Sequence, residues 1–240
     1  MPLEPTIKDQ TEVKRRKPKH DDHDTRERLL EVAGQVFAEK GFAGATGKEI
    51  CRRAKVNVAA INYHFRGLEN LYQAVLREAA ARMPSVEMFR SALSGEADPK
   101  AKLAAIFDFA SKAITGPLPS SWVIRLIGRE AMNPSPAFIA LQKEETRPKM
   151  LLVKGVIAEI MGLPPSHPAV ERGCVSVIAP CSWLLIGKRY WLRQVFPNFG
   201  FEPADAGALS RHLTQFSLAG LAAIAASAKD ANATDRLGSA

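Results

Sequence analysis

Little in this sequence supports catalysis. Its 240 residues contain three cysteines, Cys51, Cys174 and Cys181, and none of them stands at a paired metal-ligand spacing. So sparse and odd a count fits reduced thiols, small buried residues in each case, and not a disulfide framework. The five histidines, His20, His23, His64, His167 and His212, sit in no metal-binding motif with cysteine or acid partners. There is no Gly-x-Ser-x-Gly elbow, no P-loop and no dinucleotide-binding glycine pattern. The sequence therefore calls for no metal and no cofactor, and it reads as a non-enzyme. A helical-bundle enzyme whose groups come from distant helices stays as an alternative. Long apolar runs are missing too. The most apolar stretch, Val175 to Gly187, holds Pro180 and two serines and is shorter than the roughly 20 residues of a membrane span. It is expected to be a buried helix. Residues 1–23 place no apolar run behind their basic cluster, so they do not read as a signal peptide. Acidic charge is short, with 25 Asp and Glu against 33 Lys and Arg. The resulting +8 charge and pI near 9.5 favour nucleic acid or an anionic membrane surface as partner.

Sustained strand alternation is also absent. What is present is helical periodicity punctuated by proline and glycine, which gives an all-α chain of about nine helices. The most informative stretch is Thr46 to Phe65, TGKEICRRAKVNVAAINYHF. Thr46 is an N-cap with Glu49 at the capping-box spacing. Ile50 and Ala54 share one face, Lys55-Val56-Asn57 makes a turn, and Asn57 caps a second short helix from Val58. In that helix Ile61 and Phe65 face inward. The other face shows Ala59, Ala60, Asn62, Tyr63 and His64, with no carboxylate. Small residues let a backbone approach a partner closely, Asn can pair with an adenine edge, and Tyr and His can reach phosphates. Two readings fit this periodicity: a helix-turn-helix that lays its second helix in a major groove, or two core helices joined by a turn.

The run GFAGATGKEICRRAKVNVAAINYHFRGLENLYQAVL resembles the DNA-binding domain of the TetR family, and NVAAINYHF has the form of its CecR (YbiH-like) branch. The matching residues are Gly41-Phe42, Thr46, Ile50, Ala54, Val56, Tyr63-His64-Phe65, Glu69 and Leu71. Two positions depart from the pattern. Lys55 stands where the family usually has Gly, and a left-handed conformation there costs about 1 kcal/mol. Leu68 stands where a phosphate-binding Lys is usual, and Arg66 is the candidate substitute. The resemblance implies DNA contact through Thr46, Lys48, Asn57, Val58, Ala59, Ala60, Asn62, Tyr63 and His64.

The expected organisation is a disordered basic arm over 1–23, a helix-turn-helix domain over 24–82, a helical effector-binding and dimerisation domain over 83–228, and a flexible tail over 229–240. The arm, with Lys14-Arg15-Arg16-Lys17 and Lys19, either tracks DNA or is a solvated tail. Asp24 with Glu27 caps the first helix, which Gly41 ends. Further helices are expected at 68–83, 98–115, 121–132, 135–161 with a bend at Pro148, 168–195 with a kink at Pro180, and 204–226. The caps for three of these are Asp98, Ser120 or Ser121, and Ser135. LIGREAMNPSPAFIALQKEETRP, VIAPCSWLLIGKRYWL and LSRHLTQFSLAGLAAI resemble the CecR-type C-terminal domain. That resemblance implies a homodimer, for which Leu209, Leu213, Phe216, Gly220 and Ile224 form an apolar stripe at helical steps. It also implies a small-molecule effector, with Phe107, Trp122, Arg125, Leu126, Arg129, Phe138, Cys181 and Trp183 as candidate lining residues. Each aromatic among them equally suits plain core. The implied protein is a cytoplasmic regulator of a palindromic operator, a repressor by family default. The alternative is a basic helical protein that binds DNA without preference or coats a membrane, although the Asn62-Tyr63-His64 face suits lipid poorly.

Overall fold

The computed structural model describes residues 19–96, 98–117 and 121–238, with side chains from 23 to 230. Twelve α-helices and no strand are found among the described residues: α1 Lys19–Gly44, α2 Gly47–Ala54, α3 Ala59–Phe65, α4 Leu68–Ala81, α5 Val86–Ser94, α6 Pro99–Thr115, α7 Trp122–Met132, α8 Pro136–Leu141, α9 Arg147–Met161, α10 Pro168–Ile186, α11 Arg189–Val195 and α12 Ala206–Gly238. The cluster at 14–17 expected to form a basic arm lies outside the described residues, as does Ser120. Because α1 already runs from Lys19, Asp24 and Glu27 stand inside the helix and do not cap it.

The local signals for most helix starts hold. Thr46 Oγ1 accepts from the Glu49 N–H at 3.3 Å, Asp98 Oδ1 from Lys100 at 3.1 Å, and Ser135 Oγ from Phe138 at 3.2 Å. Ser121 Oγ accepts from Ile124 at a longer 3.5 Å. Each fills part of the set of N–H groups that a first turn leaves unpaired. At Gly41 the chain turns to φ +71° and breaks α1, a conformation that favours glycine.

The three helices beyond the expected nine have identifiable causes. Ser85 caps an additional helix, α5. The 135–161 stretch is divided by a π-helical turn, Gln142–Thr146, directly before Pro148. The 168–195 stretch passes through Pro180 and breaks at Gly187 instead, where the backbone becomes extended. Pro180 cannot pair with the Ser176 carbonyl, but Ser176 is exposed, so water can take that bond. The tail expected to fray from Ser227 continues as helix to Gly238.

Two hydrophobic cores result. The first gathers Leu29, Val36 and Phe37 of α1, Ile50 and Ala54 of α2, Ile61 and Phe65 of α3, and Leu71, Tyr72, Val75 and Leu76 of α4. It also takes Trp122, Val123 and Leu126 of α7 and Phe138 of α8. The head formed by α1 to α4 is thus closed by a helix that follows it by forty residues. Contact there is intimate: a Cβ on Gly34 would lie 2.6 Å from the Trp122 ring, and the Arg82 guanidinium sits 5.0 Å from that ring's centroid. The second core joins Leu103 and Phe107 of α6, Val153 and Ile157 of α9, Val170 and Val177 of α10, Leu192 of α11, and Leu209, Leu213 and Leu221 of α12.

The helix expected to be buried, α10, is not. Its 19 residues are long and apolar enough to cross a membrane, yet only Ala169, Val170, Gly173, Val177 and Leu184 are buried, on the face packed against α9, α12 and α6. Val175 and Trp183 point outward. The stripe on α12 also divides. Leu209 and Leu213 lie inside the protomer, whereas Phe216 is 71% exposed and Gly220 and Ile224 are exposed as well. Burial follows Leu209, Leu213, Leu221 and Ala225, all on one four-residue repeat. A strict four-residue repeat winds about 40° around a 3.6-residue helix at each step. The buried row and the expected straight stripe coincide at Leu209 and Leu213 and part after them.

Candidate nucleic-acid interface

Helix α3 is held from beneath and open above. Ile61 and Phe65 are buried in the first core, with the Arg26 guanidinium 5.3 Å from the Phe65 ring centroid. The Cys51 thiol lies under the turn, 3.9 Å from the Val58 carbonyl, and burial raises its pKa, which leaves it an inert packing group. In the turn, Lys55 adopts φ +55° and ψ +43°, the left-handed conformation anticipated for it. Asn57 Oδ1 accepts from the Ala59 N–H at 2.9 Å, so this amide caps α3 and keeps only its NH2 for a partner. After Phe65, Arg66 at φ +60° and Gly67 at φ +133° end the helix and start α4.

All nine sequence-derived contact residues lie around this one unit. Thr46, Lys48, Asn57, Val58, Ala59, Asn62 and Tyr63 are exposed, and Ala60 and His64 are half-buried. Tyr63 is 73% exposed, with its ring edge-on to His64 at 4.8 Å between centroids. Val58 on the same unit is 59% exposed.

The charges around the face divide cleanly. Glu49 does not complete a capping box. Its carboxylate takes Lys40 at 2.7 Å and Arg53 at 2.8 Å, and Arg53 also reaches Glu39 at 2.8 Å. The Lys40 hydrogen bond, with Arg53 adding to it against desolvation, lowers the Glu49 pKa. This cluster pins α2 to α1 and uses up the acids there. Lys48, Arg52, Lys55 and Arg66 have no ion pair among the described residues. Arg52 and Lys55 were missed as candidates from sequence, since only the structure shows that Lys40 and Arg53 take up Glu49. Leu68 packs on the first core, so it offers no phosphate contact, while Arg66 is exposed two residues earlier.

The eight candidate effector residues do not converge. Trp122, Leu126 and Phe138 belong to the first core and Phe107 to the second. Arg125 is exposed, Arg129 reaches the Lys40 carbonyl at 3.3 Å, and Trp183 stands outside against Trp191. Burial pushes the Cys181 thiol up to about 11. Glu130, which from sequence could satisfy a nearby cation, has other partners. Buried in α7, it accepts the Tyr72 hydroxyl from α4 in a short hydrogen bond, and it accepts the Ser135 N–H at 2.9 Å and hydroxyl at 2.7 Å. Burial, then the carboxylate, drive the Tyr72 pKa well above its usual value. The node fastens α4 of the head to α7 and α8. The one acid in WVIRLIGREAM, beside two arginines, was the only sign of it.

Comparison with known proteins accounts for both parts. Residues 29–75 match the family described as bacterial regulatory proteins, tetR family, and residues 99–221 match the C-terminal domain of the HTH-type transcriptional dual regulator CecR. The probable HTH-type transcriptional regulator YttP of Bacillus subtilis is 32% identical over 88 residues, which is 36% of this chain and 42% of that protein. The HTH-type transcriptional repressor AcnR of Corynebacterium glutamicum is 42% identical over 62 residues, 26% of this chain and 33% of that one. The chain thus spans less than half the length of the relatives it matches. Among solved structures, the ketosteroid transcriptional regulator KstR2 of Mycobacterium tuberculosis superposes with a TM-score of 0.59 at 18% identity, over 81% of this chain and 93% of that one. That likeness is one of fold.

Proposed function

Because this chain belongs to the TetR family of bacterial regulators, in the branch with the CecR-type C-terminal domain, we propose that it is a sequence-specific DNA-binding transcriptional repressor. It works in the cytoplasm as a homodimer and leaves its operator when a small molecule binds the helical body. It performs no catalysis. The observation that carries this reading is the α3 face: small and polar, free of acid, exposed, backed by buried Ile61 and Phe65, and ringed by unpaired cations.

In the complex, Val58, Ala59, Ala60 and Asn62 approach base edges, while Thr46, Lys48, Tyr63 and His64 hold phosphates. Asn57 serves mainly by capping α3, since its carbonyl oxygen is already engaged. A seven-residue helix reads few base pairs alone. Two of them on one side of the duplex read a palindrome about one helical turn apart. The second copy comes through the outward faces of α10 and α12, where Val175, Trp183 and Phe216 are exposed beside small Ala219, Gly220 and Ala223. Effector binding changes the spacing of the heads through the Tyr72–Glu130–Ser135 node, and it shifts the balance only by its differential affinity for the two spacings.

The test is a titration of the purified chain on DNA flanking its own gene, with random DNA as control, at two salt concentrations. Tight binding to the flanking DNA alone, with two protomers per site, is expected. Equal, weak and steeply salt-dependent binding to both would leave only a basic surface and sink the reading.

A further inference from the structure

A cavity of about 410 Å³ opens where the head meets the body. Its volume is that of a small-molecule site. One wall is α4 from Glu69 to Arg77 with Phe42, and the other is α8 and the π-helical turn that follows it. The walls combine apolar Leu76, Ala137, Ala140 and Leu141 with polar Gln73 and Ser135, and the rings of Phe42 and Tyr72 stand 5.0 Å apart between centroids. Around the apolar part stand Glu69 and Arg77 on α4 and Glu144 on the π-helical turn. None of the three has a hydrogen bond or ion pair among the described residues. Two carboxylates and one guanidinium give the lining a net charge of −1, in a protein that carries +8.

The geometry points to this cavity as a binding site for an amphipathic organic cation, a flat apolar body bearing a protonated amine. The body lies against Phe42, Ala140 and Leu141, and the face of the Phe42 ring attracts positive charge. The amine pairs with the unpartnered carboxylates, which the protein leaves unused. The π-helical turn is a second sign of function: such turns are rare and recur at functional sites, and this one places Glu144 at the cavity. The site rests on the regulator reading in one respect only, that its occupant acts as the effector. An occupant touches both the helix that leads from the reading head and the helix capped by Ser135, whose hydroxyl and N–H also bind Glu130. It therefore bears on the seam that couples the two parts. None of the eight effector candidates named from sequence lines this cavity.

The test uses the full chain without DNA and two fluorescent probes of one ring system, 9-aminoacridine as cation and acridine-9-carboxylate as anion. Saturable binding of the cation is expected, at least about tenfold tighter than the anion, the scale of one charge-assisted contact. The double substitution Glu69→Gln with Glu144→Gln should remove most of that preference while leaving affinity for flanking DNA unchanged. Ala140→Trp, which fills the cavity, should abolish binding, and circular dichroism with DNA affinity shows whether that variant folds. Tighter binding of the anion, equal binding of both probes, or a preference that survives the double substitution would overturn the proposal. If flanking DNA is bound specifically and 9-aminoacridine is not, the site fails and the regulator reading stands. If the probe binds as expected and no specific DNA binding exists, the reverse holds.

Discussion

The head and the body finish their cores in different ways. In the head, α1 to α4 turn their large apolar residues to one centre, and the rest of that centre is filled from within the chain by Trp122, Leu126 and Phe138. In the body, α10 and α12 carry apolar residues on two faces, and the chain covers only one. Val175, Trp183, Trp191 and Phe216 stay exposed there. Monomeric proteins seldom expose a large contiguous apolar surface, so the body reads as half of something, whereas the head reads as complete. Exposure on the head is of another kind: Asn62 and Tyr63 with small neighbours, a face suited to close approach and hydrogen bonding.

The sharpest way to break this contrast is at Trp122, which belongs to the body in sequence and to the head in space. Trp122→Ala should cost about 3–5 kcal/mol of stability and should weaken DNA binding, although it removes no DNA contact. Thermal unfolding together with the operator titration reads both. A stability loss that leaves the head's DNA affinity intact at moderate temperature would show that the head does not depend on α7. Next come the two faces of α12. Leu213→Ala should cost about 2–5 kcal/mol in denaturant unfolding, because it opens a cavity inside the protomer. Phe216→Glu should instead leave the protomer folded and drive it to a monomer in sedimentation. If Phe216→Glu stays dimeric, the outward face of α12 is not where the second copy sits.

The head's surface is tested by smaller effects. Asn62→Ala should cost about 1–3 kcal/mol at a single position of the operator, whereas Tyr63→Phe should weaken all DNA alike. Equal losses on specific and random DNA for Asn62→Ala would remove the base-reading role. The smallest change is expected at Lys55, held at φ +55°. Lys55→Gly should relieve about 1 kcal/mol of strain, partly offset by the added freedom of the unfolded chain. The same variant should lower the salt slope of DNA binding if the exposed ammonium meets phosphate. A salt slope equal to that of the wild type would leave Lys55 outside the interface.

Legibility followed the range of the interactions. The turn at Lys55, the Asn57 cap and the inward pair Ile61 and Phe65 all depend on neighbours within about one helical turn, and each stands as expected, although the left-handed conformation of Lys55 followed from the family resemblance and not from the local pattern. Glu49 is the instructive exception. Its spacing from Thr46 suits a capping box, but Lys40 and Arg53 offer full charges, and the Coulomb attraction of two cations exceeds that of the dipole of one backbone N–H. On α12 the apolar stripe was visible but its direction was not. Which way a row of leucines winds around a helix depends on the angle at which other helices cross it. The effector candidates failed to converge for a related reason. An aromatic at helical spacing suits either core equally, and only the assembled chain sends Trp122 to one and Phe107 to the other.

By itself, then, the amino-acid sequence determined the helices, most of their caps, and the chemistry of the exposed α3 face, because those follow from covalent geometry and from contacts within a few residues. The tertiary structure alone decided that α7 closes the head, that Glu130 ties Tyr72 to Ser135, that a cavity opens between α4 and α8, and that α10 lies half uncovered. Each of these depends on packing between residues that are distant in the chain. Hydrophobic burial is non-directional and selects its partners only when the whole chain has condensed.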